Sequence, residues 1–121
     1  MTLPILRPFV RPFLLACVGA AVIAVAPLAQ AEPHVRIEAP ADGAKLDAME
    51  QNRLVYEVDP GPRGDHVHVY VDDKEVGILR QRKGSYTLET LPPGPHRLCV
   101  KIVNKAHTPI RVEDCVKVVV E

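Results

Sequence analysis

Five histidines are the residues best suited to chemistry in this 121-residue chain. His66 and His68 flank Val67, and on a strand an i, i+2 pair puts both rings on one face with Cα atoms roughly 6.6 to 7 Å apart, close enough to share a metal ion. His107 precedes the last Val-rich segment and His34 opens the first. The same residues have a plainer reading. If Val67, Val69 and Val71 face a core, then His66, His68 and Tyr70 form the outward polar stripe usual for a half-buried strand. His107 would then order its own loop, and His96 would hydrogen-bond the backbone of the Pro-rich corner it follows.

The three cysteines divide between two regions. Cys17 lies in a segment unlike the rest: Arg7 and Arg11 are basic, residues 13–28 are almost wholly apolar, and Ala29-Gln30-Ala31 closes with small residues. This pattern predicts a secretory signal peptide over 1–31, followed by one domain over 32–121. The apolar run, at about 16 residues, is short of the ~20 that span a bilayer, and Pro27 interrupts it, so no membrane span is expected in the mature chain. Retention as an anchor, or lipidation at Cys17 after Leu14-Leu15-Ala16, are the alternatives. Cys99 and Cys115 remain, and in an exported protein, periplasmic or secreted, a disulfide is their expected state. An exported address and the Irving–Williams order favour Cu(II) over Zn(II) for a cluster of three or four imidazoles.

The elements that must position these groups follow from period. Val35, Ile37 and Ala39 alternate with Arg36 and Glu38, Leu54, Tyr56 and Val58 with Arg53 and Glu57, and Val67, Val69 and Val71 with His66, His68 and Tyr70. Residues 76–79, Tyr86 with Leu88, Leu98 with Val100 and Ile102, and Val116 with Val118 and Val120 continue the series between turn-forming clusters. About seven short alternating strands predict an all-β, immunoglobulin- or fibronectin-like antiparallel sandwich. Were Cys99 to face Cys115 in a final hairpin, Leu98 would face Val116 and Ile102 would face Val112, with Lys101 and Lys117 beside the sulfurs on the outer face. Such a bridge closes a loop of about 15 residues, worth ~3 kcal/mol. In that layout His34, His66 and His107 share one end, His68 lies one step down, Glu113 and Asp114 are near, and His96 belongs to the other end.

Gly64-Asp65-His66-Val67-His68-Val69-Tyr70-Val71-Asp72, the corner Leu91-Pro92-Pro93-Gly94-Pro95-His96-Arg97-Leu98 and the late His107-Thr108-Pro109 loop resemble motifs of uncharacterised exported bacterial domains with an immunoglobulin-like fold. The match covers about residues 64–121. Residues 69–100 are also similar to short surface-layer β-modules, with Asp73 where glycine is usual. The resemblance implies the fold and export, and no settled activity.

Several classes are excluded. Fifteen basic residues against 15 acidic leave no footprint for nucleic acid, and loss of Arg7 and Arg11 with the leader would take the net charge to about −2. No Gly-x-Ser-x-Gly elbow or phosphate loop occurs, and Ser85 and Thr87 have no base beside them. Asp72 and Asp73 are adjacent, which suits a turn better than an acid and base pair, and the basic run at 80–83 reads as a solvated turn. Phe9 and Phe13 both fall in the leader, which leaves three tyrosines and no aromatic sugar platform. Two readings remain. One is a non-catalytic exported module, stapled by Cys99 and Cys115, that binds a protein or envelope component. The other is a small periplasmic protein that binds Cu(II) or Zn(II) through His66, His68, His107 and His34.

Overall fold

Alternation of apolar and polar residues becomes strand almost wherever it occurs. The computed structural model describes Pro4, residues 18–24 and residues 32–121. It contains β1 (His34–Ala39), β2 (Lys45–Leu46), β3 (Arg53–Asp59), β4 (His66–Val71), β5 (Lys74–Leu79), β6 (Lys83–Thr87), β7 (Gly94–Val103) and β8 (Pro109–Val120). The expected leader, with Cys17, lies outside the described residues apart from Pro4 and 18–24. Among the described residues no helix is long and apolar enough to cross a membrane.

One sheet has the order β1-β3-β6 and the other β2-β8-β7-β4-β5. Ile37, Leu54, Tyr56 and Val58 of the first sheet form one core with Val67, Val69, Leu98, Val100, Ile102, Val116 and Val118 of the second. The strands that carry these residues thus bury one face against the opposite sheet, as period two requires. Asp114 adds a polar tie between the layers, because its Oδ2 accepts the backbone N–H of Ile37 at 2.8 Å. The result is an immunoglobulin- and fibronectin-like β-sandwich.

Among the described residues the seven expected strands become eight because β2, only two residues long, pairs parallel with the end of β8. So short a piece carries no periodicity to detect. β5 starts two residues earlier than expected, since Asp72 and Asp73 adopt φ of 50° and 67° and turn the chain directly from Val71 into Lys74. Two successive positive φ values are those of a type I′ hairpin turn, which aspartate tolerates better than most residues.

The final hairpin has the expected register in its lower half: Leu98 faces Val116, Cys99 faces Cys115 and Lys101 faces Glu113. Cys99 and Cys115 are joined by a disulfide. The expected facing of Ile102 and Val112 does not occur. The register shifts after Lys101 so that Val103 pairs with Pro109, and Arg111 takes a φ of 68° in the extra length of β8. This bulge bends the hairpin tip, residues 104–108, away from a plain continuation of the ladder.

Candidate metal centre

Val67 and Val69 are fully buried in the core, so His66 and His68 must project from the opposite face of β4. That parity agrees with the sequence, but the expected solvent exposure does not: each is only 3% exposed. The cover comes from the hairpin tip. Asn104 Oδ1 accepts the N–H groups of Ala106 and Thr108 at 2.9 and 3.0 Å, and the Asn104 carbonyl accepts the N–H of His107 at 2.9 Å. These bonds wrap the tip around Asn104 and hold His107 at a φ of 63°, a left-handed conformation uncommon for a residue with a Cβ. The strain sets one ring over β4.

There, three ring nitrogens meet. His66 Nε2 is 3.1 Å from His68 Nε2 and 3.2 Å from His107 Nδ1, and His68 Nε2 is 3.0 Å from His107 Nδ1. A neutral imidazole nitrogen is either an N–H donor or a lone-pair acceptor. Of three nitrogens at least two must be alike, so one contact always sets lone pair against lone pair or N–H against N–H. Hydrogen bonding cannot satisfy this triangle. A cation that accepts three lone pairs can.

Carboxylates behind the rings prepare that state. Asp65 Oδ2 lies 2.8 Å from His66 Nδ1, which places the proton on Nδ1 and leaves the Nε2 lone pair facing inward. The hydrogen bond from His66 holds the Asp65 carboxyl below its ordinary range despite partial burial, aided by the charges of Arg80 and Lys105. Glu75 Oε1 lies 3.4 Å from His68 Nδ1. That contact is too poorly aligned for a hydrogen bond, and Nδ1 of this buried ring has no hydrogen-bond partner. Burial pushes His68 below the usual imidazole range, reinforced by His66, His107 and Arg80 and opposed by Glu75. His68 is therefore neutral at pH 7, the form that ligates metal.

Of the residues singled out in the sequence, His66, His68 and His107 come together and His34 does not. His34 opens β1 in the other sheet, is exposed, and its Nδ1 lies 3.4 Å from the Glu32 carbonyl. Glu113 and Asp114 also stay apart, the first 3.6 Å from Lys101 Nζ and the second bound to Ile37. Cys99, Glu113 and Cys115 group closely too, but the disulfide leaves no thiolate there. Asp65 and Glu75 were not singled out. The turn at Asp72 and Asp73 would have shown Glu75, because it pairs Tyr70 with Glu75, beside His68 on the same face.

His96 sits at the opposite end, at the corner, as expected. Its Nε2 donates to the Pro92 carbonyl at 2.7 Å, and its Nδ1 lies 2.6 Å from Asp72 Oδ2. Asp72 and then the Pro92 carbonyl raise the His96 pKa against burial. The backbone N–H of Arg97 and then His96 lower that of Asp72. A raised histidine stabilises fully below its unfolded pKa of about 6.5 and loses the contribution as pH rises through the folded value; a lowered aspartate stabilises above about 3.9 and loses it as pH falls. The pair therefore acts most strongly between roughly pH 4 and 6.5. The stability difference between the parent and a His96→Gln variant should be largest near pH 5 to 6 and shrink by pH 9, as read by denaturant unfolding. A difference that is flat with pH would remove the charged pair from the account.

No family model and no curated protein matches this sequence. The structure is similar to the fibronectin(III)-like modules of Clostridium thermocellum CbhA, at 19% identity and a TM-score of 0.60, over 72% of this chain and 95% of that one. It is similar to part of the endo-beta-1,4-mannanase of Thermotoga petrophila, at 20% identity and a TM-score of 0.56, over 74% of this chain and 20% of the enzyme. A third likeness is to the extracellular domain of a putative one component system from B. thetaiotaomicron, at 15% identity and a TM-score of 0.53, over 76% of this chain and 16% of that one. At such identities the likeness concerns the fold alone.

Proposed function

We propose that this chain is an exported, non-catalytic module that holds one divalent transition-metal ion at His66, His68 and His107. The observation that carries the reading is the triangle of ring nitrogens at 3.0 to 3.2 Å, which a single cation satisfies and hydrogen bonds cannot. Charge supports a divalent ion, since the carboxylates of Asp65 and Glu75 stand behind His66 and His68. Export is supported by the disulfide, a bond that persists outside the reducing cytosol, and by the leader-like pattern of residues 1–31.

The shape of the site bears on the metal. At metal–nitrogen distances of about 2.0 to 2.1 Å, nitrogens so spaced subtend roughly 95 to 105° at the ion. That is a facial set suited to tetrahedral Zn(II). A flat Cu(II) set needs one pair of nitrogens on opposite sides of the ion, about 4 Å apart. Geometry thus moves Zn(II) ahead of the Cu(II) that the affinity order favours.

Isothermal titration of Zn(II) into the oxidised full chain should saturate at one equivalent, and His66→Ala with His68→Ala together should abolish that uptake. Zinc at 100 times Kd should also stabilise the parent by about 2.7 kcal/mol, a rise of roughly 10 to 20 °C in Tm for a domain this size. Equal uptake by parent and double variant would end the proposal.

A further inference from the structure

The three histidines do not complete a metal's shell. Each offers one nitrogen, and among the described residues no further His, Cys, Asp or Glu brings a ligand atom within 4.8 Å of all three. The carboxylates nearest the site stand behind the rings. Asp65 is hydrogen-bonded at Nδ1 of His66, on the far side of the ring from the nitrogen that faces the cluster, and Glu75 lies 3.4 Å from Nδ1 of His68, likewise on the far side of its ring but without a hydrogen bond to it. A tetrahedral ion bound by three donors on one side keeps a position on the other, as open zinc sites do.

Charge indicates what would fill it. A divalent ion on three neutral imidazoles is balanced by Asp65 and Glu75, and Arg80 then adds positive charge, with its Nη1 3.7 Å from Asp65 Oδ2. The loaded site is thus neutral at its centre and cationic at its rim, a field that draws small anions. His107 is the exposed member of the cluster, so the approach from solvent runs past its loop.

Resting on the three-histidine reading, we infer that the bound ion keeps one exchangeable position, and that this position takes a small external anion such as a carboxylate or azide in place of water. The module then presents its metal to an outside donor instead of sealing it in, which is what transfer to, or capture by, an anionic ligand group requires.

Cobalt(II) reports the shell directly through its visible bands. The oxidised full chain loaded with one equivalent of Co(II) should give the intense spectrum of a four-coordinate ion. Azide should shift those bands with a saturable, one-to-one dependence while the cobalt stays on the protein through desalting. Arg80→Ala should keep the cobalt spectrum and weaken azide severalfold. Cobalt bands unmoved by a large excess of azide would show the shell already closed, and loss of cobalt to azide would show a ligand competitor instead of an added ligand. Either result overturns the exchangeable position while the three-histidine site stands. Failure of the parent to take up cobalt at all would bring down both readings.

Discussion

His107→Gly should weaken Zn(II) binding by at least about a hundredfold and leave the metal-free protein no less stable. The first half follows from the loss of one of three ligands, which exceeds the ~10 to 100-fold usual for removing a group behind a ligand. Asp65→Asn, which removes such a group from His66, should fall in that smaller range. The second half comes from the backbone. His107 sits at a φ of 63°, where glycine is at ease and a side chain is strained. The turn that holds it depends on Asn104 and on main-chain groups, not on the imidazole. Removing the ring also ends the unsatisfiable contacts with His66 and His68. A residue that costs local stability and adds nothing to the fold is understandable if its ring serves a ligand. Paired melts and zinc titrations of parent and variant check both halves. A marked fall in the metal-free Tm would mean that the ring is structural cover for β4.

Reduction of the Cys99–Cys115 disulfide should lower Tm by roughly 12 to 24 °C, the equivalent of ~3 kcal/mol for a loop of this length. The bridge joins β7 to β8, neighbours in the five-stranded sheet, and not one sheet to the other. Its effect therefore falls on the unfolded chain and on the long final hairpin, which contributes Leu98, Val100, Ile102, Val116 and Val118 to the core. Saturating zinc should restore part of the loss, because His107 is carried at the tip of the same hairpin. Melts with and without reductant, each with and without zinc, give the comparison. An unchanged Tm on reduction would show that the hairpin needs no staple.

Much of this architecture was legible in the chain because a sandwich strand leaves a period-two trace. Val67 and Val69 fixed the face that His66 and His68 would take, and Cys99 with Cys115 set the register of the last hairpin. The rest lay in features without a periodic trace. β2 is too short to alternate. The bulge beyond Lys101 depends on Arg111 adopting a positive φ, which no residue type demands, and it displaced the expected pairing of Ile102 with Val112. The burial of His66 and His68 depends on a loop folding back, and that is decided by Asn104 taking the free amides of the tip. His34 illustrates the limit of an argument from ends alone: it opens β1 in the opposite sheet, and His66, His68 and His107 meet without it. Asp65 and Glu75 were readable in principle, one from adjacency to His66 and the other from the two-residue turn at Asp72 and Asp73.

The most direct test of the central claim is a crystal structure of the zinc-loaded full chain with anomalous data collected at the zinc edge. The account expects one strong peak bound by His66 Nε2, His68 Nε2 and His107 Nδ1, with Asp65 on the far nitrogen of His66. Zinc found elsewhere on the surface, or held by fewer than all three of these rings, would contradict it.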